Sequence, residues 1–142
     1  MTRIDFYVLT DDASFEREIF ACRLAEKAFR LGHTLYIYTD DGGTARRMDE
    51  LLWTWRDQSF LPHSLSQPGV EAPILIGHDE PPDSNTGLLI NLASQAPEFF
   101  PRCTRVAEIV GADAEQRKQS RERFRFYRDQ GYAPETHNLG ET

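Results

Sequence analysis

Six stretches of the chain carry the hydrophobic pattern of strands: Ile4–Leu9 (IDFYVL), Thr34–Thr39 (TLYIYT), Phe60–Leu65, Pro73–Gly77, Leu88–Leu92 and Arg105–Val110. Several are continuous apolar runs rather than alternating ones, as expected of strands covered on both faces. Between the first two, the apolar residues Phe20, Leu24, Ala28 and Leu31 recur at spacings of four, four and three, with Phe15, Ile19 and Cys22 on an adjoining stripe. That period predicts an amphipathic helix over Ser14–Leu31, stopped at Gly32. A second helix is predicted from Thr44 to about Trp55, with Ala45, Met48, Leu52 and Trp55 toward the core.

A short turn or helix is expected over Gln95–Phe100, and a last helix from about Asp113 to Gln130, ended by Gly131. Strands alternating with helices imply right-handed crossovers and a three-layer α/β fold, Rossmann-like, with a mostly parallel central sheet. The loops Ser66–Ala72 and His78–Thr86 are polar, and the second holds Pro81-Pro82. Residues 1–133 read as one domain and Pro134–Thr142 as a frayed C-terminal tail.

Composition narrows the function classes. The 142 residues carry a formal charge of −7, yet Glu115–Gln130 holds six basic residues against three acids. That window is +3 in a remainder of −10. An acidic total opposes general coating of DNA or of an anionic membrane, so any anion binding must be local. The N-terminus lacks a secretion signal, and no apolar run reaches the ~20 residues a membrane span needs, which places the chain in the cytoplasm. Cys22 and Cys103 form no CxxC pair and read as buried free thiols.

The loops that would serve an enzyme are poorly equipped. Thr10-Asp11-Asp12-Ala13-Ser14 has neither the glycines nor the lysine of a phosphate-binding loop, and Asp40-Asp41-Gly42-Gly43 is acidic. Asp11, Asp12, Asp40 and Asp41 could hold Mg²⁺ for phosphoryl transfer, but aspartates that cap helix N-termini account for them more simply. His33, His63, His78 and His137 are scattered, with no ligand spacing and no GxSxG serine. No catalytic constellation, metal site or cofactor is expected, and the chain reads as a binder rather than a catalyst.

Two features look like binding surface. Arg117, Arg121, Arg125 and Arg128 repeat at four, four and three, so their guanidinium groups line one side of the last helix. Phe124 and Tyr127 are expected on its core side, with Phe126 and Tyr132 filling in. Arginine forks hold carboxylates or phosphates in two-pronged fashion, which suits an extended acidic peptide or a nucleic-acid backbone. Trp53 has Asp49 four residues before it and Arg56 three after, which puts an indole on a polar helix face. Pro62 marks the Phe60–Leu65 strand as an edge strand, where Phe60 can be reached.

In combination, Phe6-Tyr7, Asp49-Glu50-Leu51-Leu52-Trp53, Ser59-Phe60-Leu61-Pro62-His63 and Arg121-Glu122-Arg123-Phe124-Arg125 with Tyr127-Arg128 and Gly131 resemble the chi subunit family of bacterial DNA polymerase III. The resemblance runs over nearly the whole chain. It implies a non-enzymatic clamp-loader adaptor with a Rossmann-like sheet, joining the psi subunit to the acidic, phenylalanine-ended C-terminal tail of single-stranded DNA-binding protein. By position it implies a tail site at Arg121, with Arg117, Arg125 and Arg128 around it and Val110 and Trp53 giving apolar contact. Phe60 would face psi, and in some bacteria an alternative helicase partner uses that surface. Contact with DNA would be indirect. The alternative is a single-stranded nucleic-acid-binding domain that uses the basic helix itself.

Overall fold

The structure is a computed structural model and describes residues 2–9, 16–54 and 61–139. Asp11, Asp12, Phe15, Trp55 and Phe60 lie outside the described residues, as does the predicted start of the first helix at Ser14. The elements follow in the order β1 (Arg3–Val8), α1 (Glu16–Arg30), β2 (Leu35–Tyr38), α2 (Gly42–Thr54), β3 (His63–Leu65), β4 (Ile74–Gly77), β5 (Leu88–Asn91), β6 (Arg105–Val110), α3 (Ala114–Asp129) and β7 (Glu135–Asn138). Short 3₁₀ turns at Asp83–Asn85 and Phe100–Arg102 punctuate the loops.

The strands form one sheet in the order β3-β4-β2-β5-β6-β1-β7, and every neighbouring pair is parallel. A wholly parallel sheet must be covered on both faces, because its strands are apolar on both. Ile37, Ile74, Ile76, Ile90 and Ile109 point to one face, where Ala21, Cys22 and Ala25 of α1 and Ala45, Met48 and Leu52 of α2 meet them. Phe6, Tyr36, Leu75, Leu89 and Val106 point to the other, under Tyr127 and Phe124 of α3 and under Phe99 and Phe100. The three-layer Rossmann-like expectation is met. β3 is the edge strand that Pro62 announced, with Pro62 just before it rather than within it.

The α1 stripe is rotated from its expected position. Ala21, Cys22, Ala25 and Ala28 face the sheet, whereas Phe20 and Leu24 are half-buried and Leu31 is 66% exposed. Small side chains let the helix lie close on the strands, and that close approach displaces the larger ones to its flank. On α2, fully burying Met48 or Leu52 contributes about 1.5–3 kcal/mol each. An exposed ion pair such as Arg47–Glu18 contributes at most about 1 kcal/mol, so packing holds this helix. Gly32 and Gly131 follow α1 and α3 with φ of 87° and 94°, the left-handed conformation that ends a helix.

The C-terminus corrects the expected frayed tail. Glu135–Asn138 is strand β7, paired with β1 from Asp5↔Glu135 to Val8↔Asn138. Its hold is a clasp centred on fully buried Asp5, which bonds His137 Nε2 at 2.9 Å and Arg105 Nε at 2.8 Å, with Arg3 at 3.4 Å. Burial alone would raise the Asp5 carboxyl, but the bonds from His137 and Arg105 outweigh it and leave the group below its ordinary 3.8. A carboxylate depressed in the folded state stabilises above its unfolded pKa, and the gain is lost as pH falls through the folded one. Asp5→Asn is therefore expected to lower stability by about 1–3 kcal/mol at pH 7. In thermal melts the gap from wild type should narrow as the pH falls below the ordinary carboxylate range.

Candidate functional site

The site is built on α3, which Asp113 opens by accepting from the Gln116 amide at 2.8 Å. Its inward side is not purely apolar. Arg123 is 3% exposed and donates from Nε to Glu108 Oε1 at 2.8 Å and from Nη1 to the Ser94 carbonyl at 3.0 Å. Glu108, fully buried on β6, also accepts from Tyr127 Oη at 2.6 Å and Asn91 Nδ2 at 2.8 Å. Burial and the Glu108 charge push the Tyr127 hydroxyl far up, so it stays a donor. This network, absent from the expectations above, fixes the rotation of α3 about its own axis. Its sequence signal was an acid, Glu108, in the middle of the apolar run RVAEIV, which only a buried cation and donors could balance.

With Arg123 and Phe126 turned toward Ser94 and Phe100, the opposite flank of α3 faces β1. Phe124 is on that flank, 5.3 Å from the ring of Phe6 on β1 and half-buried. Half-buried Val8 lies on the same face of β1, so an apolar strip runs between α3 and the β1–β7 edge. Phe124 follows Arg121 by three residues and precedes Arg128 by four, the spacings that make side chains neighbours on a helix. Arg121, Arg125 and Arg128 are exposed, and their side chains make no hydrogen bond or ion pair among the described residues. The structure thus brings three arginines of the predicted stripe together beside an aromatic.

The fourth arginine has a different job. Arg117 is half-buried and donates to the Gly111 carbonyl at 3.1 Å and the Leu9 carbonyl at 2.8 Å, tying the start of α3 to the ends of β6 and β1. Val110 is fully buried on β6 beneath α3, so it supports the strip and offers no surface. Trp53 is 57% exposed, with its ring 4.6 Å from that of His63. It belongs to α2, which covers the face of the sheet opposite α3. A single cradle of arginines and this indole is therefore not formed: helical periodicity showed that Trp53 leaves the core, but not which side of the sheet its helix covers.

The sequence matches known proteins over nearly its whole length. Residues 1–135 match the family described as DNA polymerase III chi subunit, HolC. The chain belongs to the DNA polymerase III chi subunit family. The chi subunit of Pseudomonas aeruginosa is 45% identical over 139 residues, covering 98% of each chain. Those of Haemophilus influenzae and Escherichia coli are 33% and 30% identical over 138 and 139 residues, covering 95% and 93% of this chain and 96% and 95% of theirs. Chi subunits are accessory parts of a replicative polymerase, which fits a fold whose conspicuous polar features are structural.

The remaining candidates for chemistry in this chi family member resolve in that way. Asp41 Oδ1 accepts from the Thr44 amide at 2.8 Å and caps α2, and that bond holds its carboxyl below the ordinary range. Asp40 accepts from the amide and hydroxyl of Ser94 at 3.0 and 3.1 Å. Asp5, Glu135 and His137 bring three ligand-type atoms within 4.8 Å of one another, but Arg3 and Arg105 already meet the acids there. Cys22 and Cys103 are buried and free, and burial pushes their thiols up to about 12 and about 11, which keeps them unreactive. No described helix is long and apolar enough to cross a membrane.

Proposed function

We propose that this chain is a non-catalytic cytoplasmic adaptor of the DNA polymerase III holoenzyme, binding the acidic C-terminal tail of single-stranded DNA-binding protein through α3 and the psi subunit through the α2–β3 side. The observation that carries the proposal is the exposed row Arg121, Arg125 and Arg128 beside half-buried Phe124, in a protein of net charge −7. A chain end with a carboxylate and a phenyl ring needs a guanidinium fork and an apolar surface within one side chain of each other, and this flank supplies both. Arg121 is the central contact, Arg125 and Arg128 extend it, and Arg117 and Val110 hold the flank in shape.

Exposed Trp53 stands on the other layer and is reassigned to the second surface, which Phe60 continues in the sequence. That surface would face psi, or an alternative helicase partner where one is used. The two sites then lie on opposite faces of one sheet, so both partners can be held at once. DNA is reached only through the tail.

The test is a pair of single variants read against both partners. Trp53→Ala is expected to leave the affinity for a tail peptide within about twofold in calorimetry while weakening capture of psi about tenfold or more. Arg121→Ala should do the reverse. Tail binding lost in Trp53→Ala and kept in Arg121→Ala would overturn the assignment.

A further inference from the structure

One cavity of the fold lies away from the α3 flank. It is a cavity of about 380 Å³ on the α1 face, where the C-terminal turn of α1 overhangs the first residues of β5 and β6. Its apolar wall comes from Tyr7, Leu24, Ala28, Leu31 and Leu88. Leu31 at its mouth is, with Trp53, one of two large hydrophobic side chains that are well exposed among the described residues. The rotation of α1 explains the space: the helix seats its alanines on the sheet and leaves its larger side chains along one flank.

The rim is cationic on both sides. Lys27 borders it on the helix and His33 on the turn that follows, and neither side chain has a hydrogen bond or ion pair among the described residues. Arg105 borders it on the strand side, where it is held by Asp5 and by the Tyr7 hydroxyl at 3.4 Å. Glu26, on the neighbouring helix turn, is paired with Arg30. An open apolar cavity between two separated cationic edges, on a protein of net charge −7, is complementary to a segment with an apolar side chain flanked by acids. A chain end suits it less well, since its single carboxylate would meet only one edge.

We propose that this α1 cavity is a docking site for an internal acidic peptide segment, one whose large apolar side chain enters beside Leu31 while acids before and after it meet Lys27 and Arg105. The site is separate from the α3 flank, on the other face of the sheet, and does not depend on the tail-binding proposal.

The experiment uses the full chain and blocked pentapeptides, acetyl-Glu-Asp-X-Asp-Glu-amide with X as Leu, Phe or Trp, titrated by calorimetry in low salt. At least one should bind with a Kd of roughly 10–100 μM, and the lysine-flanked counterparts should not bind. Lys27→Glu should weaken binding about fivefold and Leu31→Asp about tenfold. Both positions are exposed, so melting temperatures should stay near wild type, and Arg121→Glu should leave this binding unchanged. In ¹⁵N spectra the shifted amides should be those of Leu24–Leu31, Gly87–Leu88 and Thr104–Arg105. Absence of binding tighter than millimolar, equal binding of the lysine-flanked peptides, or loss in Arg121→Glu but not in Lys27→Glu would overturn the proposal.

Discussion

Arg123→Ala is expected to be the most destabilising single substitution on α3, at about 3–5 kcal/mol, the usual cost of removing one partner of a buried ion pair. Glu108 is 0% exposed and would be left with only Tyr127 and Asn91 donating to it. For a chain of this length that loss corresponds to a fall in melting temperature of roughly 10–15 °C. A double variant, Arg123→Met with Glu108→Gln, should recover much of the loss, because an apolar side chain and a neutral amide leave no uncompensated charge. Arg123→Lys should not recover it, since a single ammonium cannot reach both Glu108 and the Ser94 carbonyl as the fork does. A loss below about 1 kcal/mol for Arg123→Ala in urea melts would mean that the network does not hold α3.

The second large effect is on binding. Arg121→Glu is expected to lower affinity for a peptide ending in acids and phenylalanine about 30- to 100-fold, since it removes a charge-assisted bond worth about 2 kcal/mol and adds repulsion. Stability should barely move, because Arg121 is exposed and bonds to nothing within the described protein. The wild-type affinity should itself fall as salt is raised, as it must for a row of exposed cations. Arg117→Ala gives the contrasting pattern. Its guanidinium serves two carbonyls of the fold, so about 1–2 kcal/mol of stability should go together with any loss of binding. Calorimetry and melts on the two variants together separate a contact from a support.

What the sequence made legible follows from what each residue has to satisfy. TLYIYT, PILIG and RVAEIV were readable as strands because a parallel sheet buries both faces, leaving a run that no exposed helix could tolerate. Strand β7, Glu-Thr-His-Asn, was not, because an edge strand covered on one side can be polar, and its identity rests on pairing with β1 and on Asp5. The arginine row was legible as a row, since residues 117, 121, 125 and 128 share a flank at any helical rotation. Arg123 was not distinguishable from it by type, only by the acid that awaited it on β6. Asp5 and Glu108, each the sole acid within its strand's apolar run, were the overlooked markers of where cations would have to enter. Leu31 was misplaced for a related reason: the alanines of α1, not its larger residues, decide how closely the helix can sit.

The pairing of β1 sets a demand on the order of assembly. β1 lies between β6 and β7, with Arg3 opposite Arg105 and Asp5 opposite Glu135, so neither neighbour exists until synthesis has passed residue 105. Such long sequence separations make folding slow relative to a domain of local contacts, and meanwhile they leave Ile4, Phe6 and Tyr7 without a strand to pair with. A nascent chain arrested before residue 105 should therefore keep its N-terminus open to chaperones, and release of that N-terminus should coincide with emergence of the arginine helix from the exit tunnel.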